Sequence, residues 1–104
     1  MPIQYLETLE AFKTAINSPE LVSIDFTATW CGPCKTISPV FEQLAESYTN
    51  CNFYKVDVDN AQEIVSECNI TSMPTFKFYK NGVEITTFTG CNSQLLQETV
   101  FNNK

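Results

Sequence analysis

Two cysteines separated by two residues are the most chemically distinctive feature of this chain of 104 residues. Cys31 and Cys34 enclose Gly32-Pro33 and directly follow Trp30. If a helix begins here, its unpaired N–H groups and positive dipole end lower the pKa of the Cys31 thiol and favour the nucleophilic thiolate. Two intervening residues bring Cys34 onto the first turn, within bonding reach of Cys31. The spacing therefore predicts reversible dithiol–disulfide chemistry.

The competing interpretation of such a pair is half of a zinc site. Structural zinc usually requires a second close cysteine pair or histidine ligands. The remaining cysteines, Cys51, Cys68 and Cys91, are isolated in the sequence, and the chain contains no His. The lack of His also removes Ser-His-Asp and Cys-His catalytic groups. We therefore favour redox chemistry over zinc and expect no metal.

Composition and charge exclude several classes of function. Asp and Glu number 12 against 6 Lys, with no Arg, and the net charge is −6. No basic surface that follows phosphates can be assembled from these residues, so we expect no nucleic-acid binding. The three glycines are too scattered for a dinucleotide-binding or phosphate-binding loop. Because the sequence lacks a signal-peptide pattern and a long apolar run, we expect a cytoplasmic protein without membrane association.

The periodicity of apolar residues places the cysteine pair between a buried strand and a long helix. A first helix is predicted over residues 6–16, followed by a strand over residues 21–28 that is apolar on both faces, with Asp25 as its one charge. The helix that begins at the cysteine pair continues to Asn50 and contains Pro39, which should kink it. Open α/β sheets carry their reactive sites at the carboxyl ends of strands, which is where the pair lies.

The second half of the chain predicts an antiparallel hairpin. Residues 53–58 form a second inner strand, and Asp59-Asn60 offers an N-cap for a short helix. Strands over residues 75–79 and 83–88 are joined around Asn81-Gly82, the strongest short hairpin signal.

A last amphipathic helix is predicted after Gly90 and completes the fold. The predicted class is α/β, with a central mixed β-sheet made of a parallel βαβ half followed by an antiparallel ββα half, flanked by helices on both faces. The length fits a single domain over residues 1–104.

In these motifs the sequence resembles the thioredoxin family along essentially its whole length, and the resemblance implies a thioredoxin-like fold. Beyond the cysteine motif, the family pattern is matched in order and spacing by Asp25-Phe26 with Ala28, Val56-Asp57-Val58-Asp59, Met73-Pro74-Thr75-Phe76 and Gly90. The resemblance implies a protein-disulfide reductase with no bound cofactor, whose redox group is the Cys31–Cys34 disulfide. It further implies re-reduction by an NADPH-dependent thioredoxin reductase. The implied substrates are disulfide-containing proteins such as peroxiredoxins or ribonucleotide reductase.

The resemblance also implies roles for individual residues. Cys31 is the nucleophile and Cys34 the resolving thiol. Asp25 is a buried acid/base. The apolar residues on either side of it support this role, because burial among them desolvates the carboxyl group and raises its pKa. The alternative for Asp25 is a structural hydrogen-bonding role. Lys55 falls where many family members carry the partner of that acid, although a strand lysine is often only a solvated side chain.

A disulfide reductase needs an exposed apolar rim that receives segments of many proteins. We expect substrate to bind at the motif and two neighbouring loops, through Trp30, Gly32, Pro33, Met73, Pro74 and Gly90. The resemblance implies that Pro74 is a cis proline. The alternative is that Trp30, Met73 and Pro74 are ordinary core residues.

Two cysteines depart from the family pattern. Cys91 directly follows Gly90, in a loop that resembles one contacting substrate, where a small unreactive residue is usual. An exposed thiol there is open to oxidation, so Cys91 is a candidate regulatory thiol, the alternative being a thiol tucked against Leu95. Cys51 stands at a usually apolar position, and both it and Cys68 are predicted to be inert packing residues. We expect a monomer, with a disulfide-linked dimer as its oxidised form.

The alternative to a reductase is a redox-dependent binding module, whose reduced form clamps a partner without turnover. A binder should survive replacement of both Cys31 and Cys34 by Ser, whereas a reductase should not. An isomerase or an oxidant is a further alternative among enzymes, but Gly32-Pro33 is the dipeptide of the reducing members of the wider family.

Overall fold

A five-stranded mixed sheet with two helices on each face forms the fold in the computed structural model, which describes residues 3–104. In chain order the elements are β1 (Gln4–Tyr5), α1 (Leu9–Ile16), β2 (Val22–Thr27), α2 (Gly32–Ser47), β3 (Asn52–Asp57), α3 (Gln62–Cys68), β4 (Thr75–Lys80), β5 (Val83–Thr89) and α4 (Ser93–Asn103). The strand order is β1-β3-β2-β4-β5. Strands β1, β3 and β2 are parallel, and β4 and β5 run antiparallel to their neighbours. The predicted α/β class is confirmed.

Strand β2 lies at the centre of the sheet and leads directly into the cysteine motif. Its side chains alternate between the two faces, as in any strand. One face packs with α1 and α3 through an apolar cluster that includes Val22, Ile24 and Phe26. The opposite face carries Ser23 and Asp25, both fully buried, on the side covered by α2 and α4.

The core on the α2 and α4 side contains four buried phenylalanines, Phe41, Phe53, Phe76 and Phe78. Phe41 of α2 packs edge-on against Phe53, with ring centroids 5.4 Å apart, and also contacts Phe76 at 5.7 Å. Leu96 and Val100 of α4 are completely buried in the same cluster. This cluster fixes α2, and with it the cysteine pair at its start, against the centre of the sheet.

Helices α1 and α4 begin at polar residues whose side chains cap them. Thr8 caps α1 by accepting a hydrogen bond from the Ala11 N–H at 3.1 Å. Asn92 caps α4 in the same way, accepting from the Leu95 N–H at 3.0 Å. The hairpin between β4 and β5 turns at Asn81-Gly82, where φ is 54° and 80°, as a two-residue turn with positive φ at both positions requires. The hairpin prediction is confirmed.

The structure differs from the sequence-based expectation in the bounds of several elements. Helix α2 ends at Ser47, three residues before the predicted end at Asn50. Helix α1 begins at Leu9, later than predicted, because Thr8 caps it there. Strand β1 was not predicted, since two residues are too few to show an alternating pattern. Helix α3 is capped at Ala61 with no side-chain hydrogen bond. The predicted Asp59-Asn60 cap is therefore wrong, because the Asp59 carboxylate binds Trp30 and the Asn60 amide binds Asp57.

None of the helices in the described range of residues 3–104 combines the length and apolar character needed to cross a membrane.

Candidate active site

Cys31 and Cys34 are joined by a disulfide at the start of α2, with their Cα atoms 5.3 Å apart. Cys31 is the N-cap residue of the helix, and its Sγ accepts a hydrogen bond from the Cys34 N–H at 3.2 Å. Pro33 lies in the first turn, where a missing N–H leaves no hydrogen bond unmade. The residue Cys31 is 6% exposed and Cys34 only 1%. Of the two sulfur-bearing residues, Cys31 is therefore the one nearer to solvent, although it is far from freely exposed.

The disulfide rests on a small apolar cluster of its own. Ala28, Cys31 and Cys34 form its buried centre, and Val58 and Met73 pack around them. The Sγ atom of Cys31 lies 3.8 Å from the Met73 carbonyl oxygen. The bend before β4 thus lies against Cys31.

The rim around the disulfide is formed by exposed residues of the motif. Trp30 is 65% exposed, and its indole Nε1 donates a hydrogen bond of 2.8 Å to the Asp59 carboxylate. Gly32 and Pro33 are exposed beside it. An exposed indole held in one place by a carboxylate provides a fixed apolar surface next to Cys31.

The bend at Met73 and Pro74 lies beside the disulfide, and the loop at Gly90 is bonded to this bend. The Met73–Pro74 peptide bond is cis. Met73 is partly buried and Pro74 is buried, so the exposed part of the rim at this bend excludes Pro74. The Gly90 N–H donates to the Pro74 carbonyl at 2.9 Å, and Gly90 adopts a φ of 105° that favours glycine. These contacts bring the bend and the Gly90 loop together.

Asp25 is buried beneath α2, with 1% of its surface exposed. Its Oδ1 atom has no hydrogen-bond partner in the described part of the chain. Burial raises the pKa of this carboxyl group from 3.8 to about 7, the Lys55 ammonium opposes the rise, and the Glu42 carboxylate adds to it. A carboxyl group that titrates near neutral pH is suited to accept and return protons under physiological conditions.

Lys55 occupies the strand position paired with Asp25, but its hydrogen bonds go elsewhere. The two residues are register partners of the parallel strands β2 and β3. Lys55 is buried, and its Nζ donates to Ser38 Oγ at 2.7 Å and to Glu42 Oε2 at 2.8 Å. Hydrogen bonds from Lys55 and Ser38 in turn lower the pKa of Glu42. Lys55 is thus next to Asp25 in the strand register, as predicted, but it forms its ion pair with Glu42 of α2.

A cleft of about 150 Å³ opens next to this group of charges. Cys34, Ser38 and Lys55 line it, together with Tyr5 and Asp57 at the strand ends. A space of this size admits a few water molecules. The cleft therefore opens from solvent toward Cys34.

The three remaining cysteines are free thiols in different environments. Cys51 is buried in the core next to α2, and burial raises its pKa. Cys68 is partly buried with its Sγ 3.9 Å from the Tyr79 hydroxyl, and burial raises its pKa as well. Cys91 is exposed beside Gly90, so the expected alternative of a thiol tucked against Leu95 is wrong. Among residues 3–104, no three Cys, Asp or Glu side chains are grouped as metal ligands.

Three residues of the site were not identified from the sequence: Ser38, Glu42 and Asp59. Ser38 and Glu42 follow Cys34 at intervals of four residues along α2, which puts all three on one face of the helix. That spacing was a usable signal. Asp59 belongs to the matched family pattern, but its hydrogen bond to Trp30 joins two loops that are distant in the sequence and has no local signal.

Comparison with known proteins places this site in a well-populated family. The Thioredoxin family model matches residues 4–101. The chain is 48% identical over 106 residues to the thioredoxin of Ictalurus punctatus, covering 98% of this chain and 99% of the relative. A solved structure of Plasmodium falciparum thioredoxin is 42% identical, with a TM-score of 0.93, and the match covers 98% of this chain and all of that one.

One further similar structure comes from work on the thiol resolving mechanism of a yeast mitochondrial 1-Cys peroxiredoxin via glutathione and thioredoxin systems. It is 37% identical with a TM-score of 0.91, covering 96% of this chain and 94% of the other.

Proposed function

The chain belongs to the thioredoxin family and is a thiol–disulfide oxidoreductase, and from this premise we propose how its residues divide the reaction. The reduced protein carries two thiols, on Cys31 and Cys34, and transfers two electrons to a disulfide of a substrate protein. The observation that carries this proposal is the Cys31–Cys34 bond at the N-terminus of α2, beside an exposed Trp30.

In the first step Cys31 attacks as a thiolate. Its sulfur forms a bond to one substrate sulfur, the substrate disulfide breaks, and the second substrate sulfur leaves as a thiolate that takes up a proton. The positive end of the α2 dipole and the Cys34 N–H that points at Cys31 Sγ both support a negative charge on that sulfur. The greater exposure of Cys31 supports its assignment as the attacking residue.

In the second step Cys34 resolves the mixed disulfide. It loses its proton and attacks the Cys31 sulfur, so that the Cys31–Cys34 bond forms and the remaining substrate sulfur is released as a thiolate. We propose that Asp25 accepts the Cys34 proton, directly or through water in the neighbouring cleft. The pKa of about 7 supports this role, because such a carboxyl group is partly ionised at neutral pH and can accept the proton.

Thioredoxins generally work with a thioredoxin reductase and with disulfide-containing substrates. For this chain we propose an NADPH-dependent thioredoxin reductase as the electron donor and peroxiredoxins or ribonucleotide reductase as substrate proteins. We further propose a cytoplasmic location and a monomeric reduced state. The yeast structure from the peroxiredoxin study supports the choice of peroxiredoxins by similarity.

Reduction of insulin disulfides by NADPH and thioredoxin reductase tests the proposed reaction. The wild-type protein should support continuous NADPH oxidation, and Cys31→Ser should abolish it. A Cys51→Ser variant serves as the matched control, because Cys51 lies in the core between the end of α2 and the start of β3 and is not part of the disulfide. Equal turnover of wild type and Cys31→Ser would refute the assignment. Partner capture that survives Ser at both Cys31 and Cys34 would favour the redox-dependent binding module.

A further inference from the structure

The Lys55 ammonium is held by α2 and forms no ion pair with its strand partner Asp25. Its Nζ lies 2.8 Å from Glu42 Oε2 and 2.7 Å from Ser38 Oγ. Ser38 also donates to the same Glu42 oxygen at 3.0 Å, which closes a triangle of three side chains. The two contacts of Lys55 cross from β3 to one face of α2.

The same ammonium is within reach of Asp25 if α2 releases it. Asp25 and Lys55 are register partners on neighbouring parallel strands, which run about 4.8 Å apart, and paired residues point to the same face. The four-carbon stem of a lysine is long and flexible enough to swing between two acceptors at that separation. The unpartnered Oδ1 of Asp25 is an available acceptor on the same side of the sheet.

We propose that Glu42 is a positioning residue for the proposed reaction. With Ser38 it holds the Lys55 ammonium on α2 and away from Asp25, and so keeps Asp25 basic enough to take the proton of Cys34. This inference rests on the proposed role of Asp25 as the proton acceptor. It adds a residue that touches neither substrate nor the reacting sulfurs.

Two charged groups act on Asp25 in opposite directions. From β3 the facing group is the Lys55 ammonium, which lowers the pKa of Asp25. From α2 it is the Glu42 carboxylate, which raises that pKa, with the Cys34 sulfur on the same helix face. From β4 the register partner is Phe76, which carries no charge. Removing the Glu42 charge therefore lowers the pKa of Asp25 twice, through the lost carboxylate and through the released ammonium.

A purely stabilising surface ion pair is the competing explanation for the contact. The Glu42 side chain is 53% exposed, and ion pairs with one partner this exposed contribute little to stability. Loss of Glu42 from such a pair would have only the direct effect of the lost carboxylate on the titration of Asp25, whereas release of the Lys55 ammonium would add to it. The size of the shift with and without the ammonium therefore separates the two explanations.

The experiment is a carbon-13 NMR titration of the Asp25 carboxyl group in the oxidised protein, where neither Cys31 nor Cys34 titrates. The Asp25→Asn variant identifies the signal. Glu42→Gln should lower the midpoint by about one pH unit, the smaller end of what a nearby opposite charge does. Glu46→Gln is the matched control, since Glu46 lies one turn further along α2, is exposed, and has no hydrogen bond to Lys55.

A second variant removes the Lys55 ammonium and is expected to shift the Asp25 midpoint in the opposite direction. Lys55→Met removes the ammonium and should raise the Asp25 midpoint. In that background, Glu42→Gln should produce a smaller shift than in the wild type, because the ammonium can no longer move. An unchanged midpoint in Glu42→Gln, an equal shift in Glu46→Gln, or a Glu42→Gln shift that is as large in the Lys55→Met background as in the wild type would overturn the inference.

The reaction itself provides the functional readout. The rate at which the reduced protein reduces a disulfide substrate should rise with pH through the Asp25 midpoint, and Glu42→Gln should move that rise to lower pH by the same amount. A moved midpoint with an unmoved rate profile would overturn the positioning role. Absence of turnover in the wild type would overturn the proposed function instead, so the two failures are distinguishable.

Discussion

The indole of Trp30 donates a hydrogen bond of 2.8 Å to the carboxylate of Asp59, which lies 29 residues further along the chain. The bond joins the loop after β2 to the loop after β3, and the Asp59 N–H is itself held by Asp57 Oδ1 at 3.0 Å. Trp30 is thus largely exposed and yet fixed in orientation. We infer that the exposed face of this ring is presented to substrate in one position.

Replacing Asp59 by Ala should release the Trp30 ring. Trp30 is the only tryptophan of the chain, so its fluorescence reports on the ring directly. We expect lower fluorescence anisotropy and a KM for insulin raised about fivefold, since a charge-assisted hydrogen bond at an exposed site contributes about 1 kcal/mol. Glu63→Ala is the control, because it removes one negative charge from the neighbouring helix α3. Unchanged anisotropy in Asp59→Ala would contradict the expectation.

The division of labour between the two active-site thiols predicts different trapping behaviour. Cys34→Ser should accumulate a covalent mixed disulfide with substrate through Cys31, because no resolving thiol remains. Cys31→Ser should trap far less, since Cys34 is only 1% exposed. Non-reducing gels of each variant incubated with insulin measure the adduct. Equal trapping by both variants would show that the assignment of nucleophile and resolving thiol is wrong.

The sheet and its helices were predictable from the sequence because the signals are local. Each signal lies within a short stretch of the sequence. This is true of the strand patterns of β4 and β5, of the Asn81-Gly82 turn between them, and of the apolar run of β2. The cysteine spacing likewise placed the disulfide at the start of α2. Strand β1 was missed because its pairing with β3 depends on a partner about 50 residues away in sequence and not on its own pattern.

The charge arrangement behind the disulfide could not be predicted in the same way. The position of Lys55 opposite Asp25 followed from the family resemblance, but its hydrogen bonds depend on how α2 lies over β3. A lysine between two carboxylates binds the one whose geometry and solvation are favourable, and only the packed structure decides this. Here the half-exposed Glu42 holds the ion pair and the buried Asp25 does not.

The raised pKa of Asp25 predicts a stability that falls as the pH rises. A buried acid with a folded pKa near 7 and an unfolded pKa near 3.8 binds its proton more tightly in the folded state. Its favourable contribution is fully present below about pH 4 and is lost as the pH rises through 7, with a total on the order of 4 kcal/mol. Asp25→Asn should abolish this pH dependence, so that the variant is more stable than wild type at pH 8.

Urea denaturation of both proteins at pH 5 and pH 8 measures this effect. The difference in the free energy of unfolding between Asp25→Asn and wild type should grow with pH, while the contributions of the other carboxyl groups cancel in the comparison. We also expect slower disulfide reduction by Asp25→Asn. A difference that is independent of pH would show that Asp25 does not titrate in this range, and loss of stability with unchanged rate would assign it a structural role.

The free cysteines should differ in their reactivity with alkylating reagents. Cys91 is exposed, whereas Cys51 is buried and Cys68 partly so, and burial raises the pKa of both. Brief treatment of the oxidised native protein with iodoacetamide should label Cys91 first, since reaction requires an accessible thiolate. Mass spectrometry of proteolytic peptides measures the order, and treatment in denaturant labels all three as a control. Preferential labelling of Cys51 would contradict the core packing.

The exposure of Cys91 also predicts a disulfide-linked dimer under oxidising conditions. Two Cys91 thiols from two chains are oxidised to one disulfide while one molecule of hydrogen peroxide is reduced to two of water. Because Gly90 binds the backbone of Pro74 beside the active site, a second chain attached at the next residue should hinder access to Trp30 and lower insulin turnover. Size-exclusion chromatography and the insulin assay before and after dithiothreitol measure both effects. Cys91→Ala should remain monomeric and fully active after peroxide, and a peroxide-induced dimer of that variant would exclude Cys91 as the linkage.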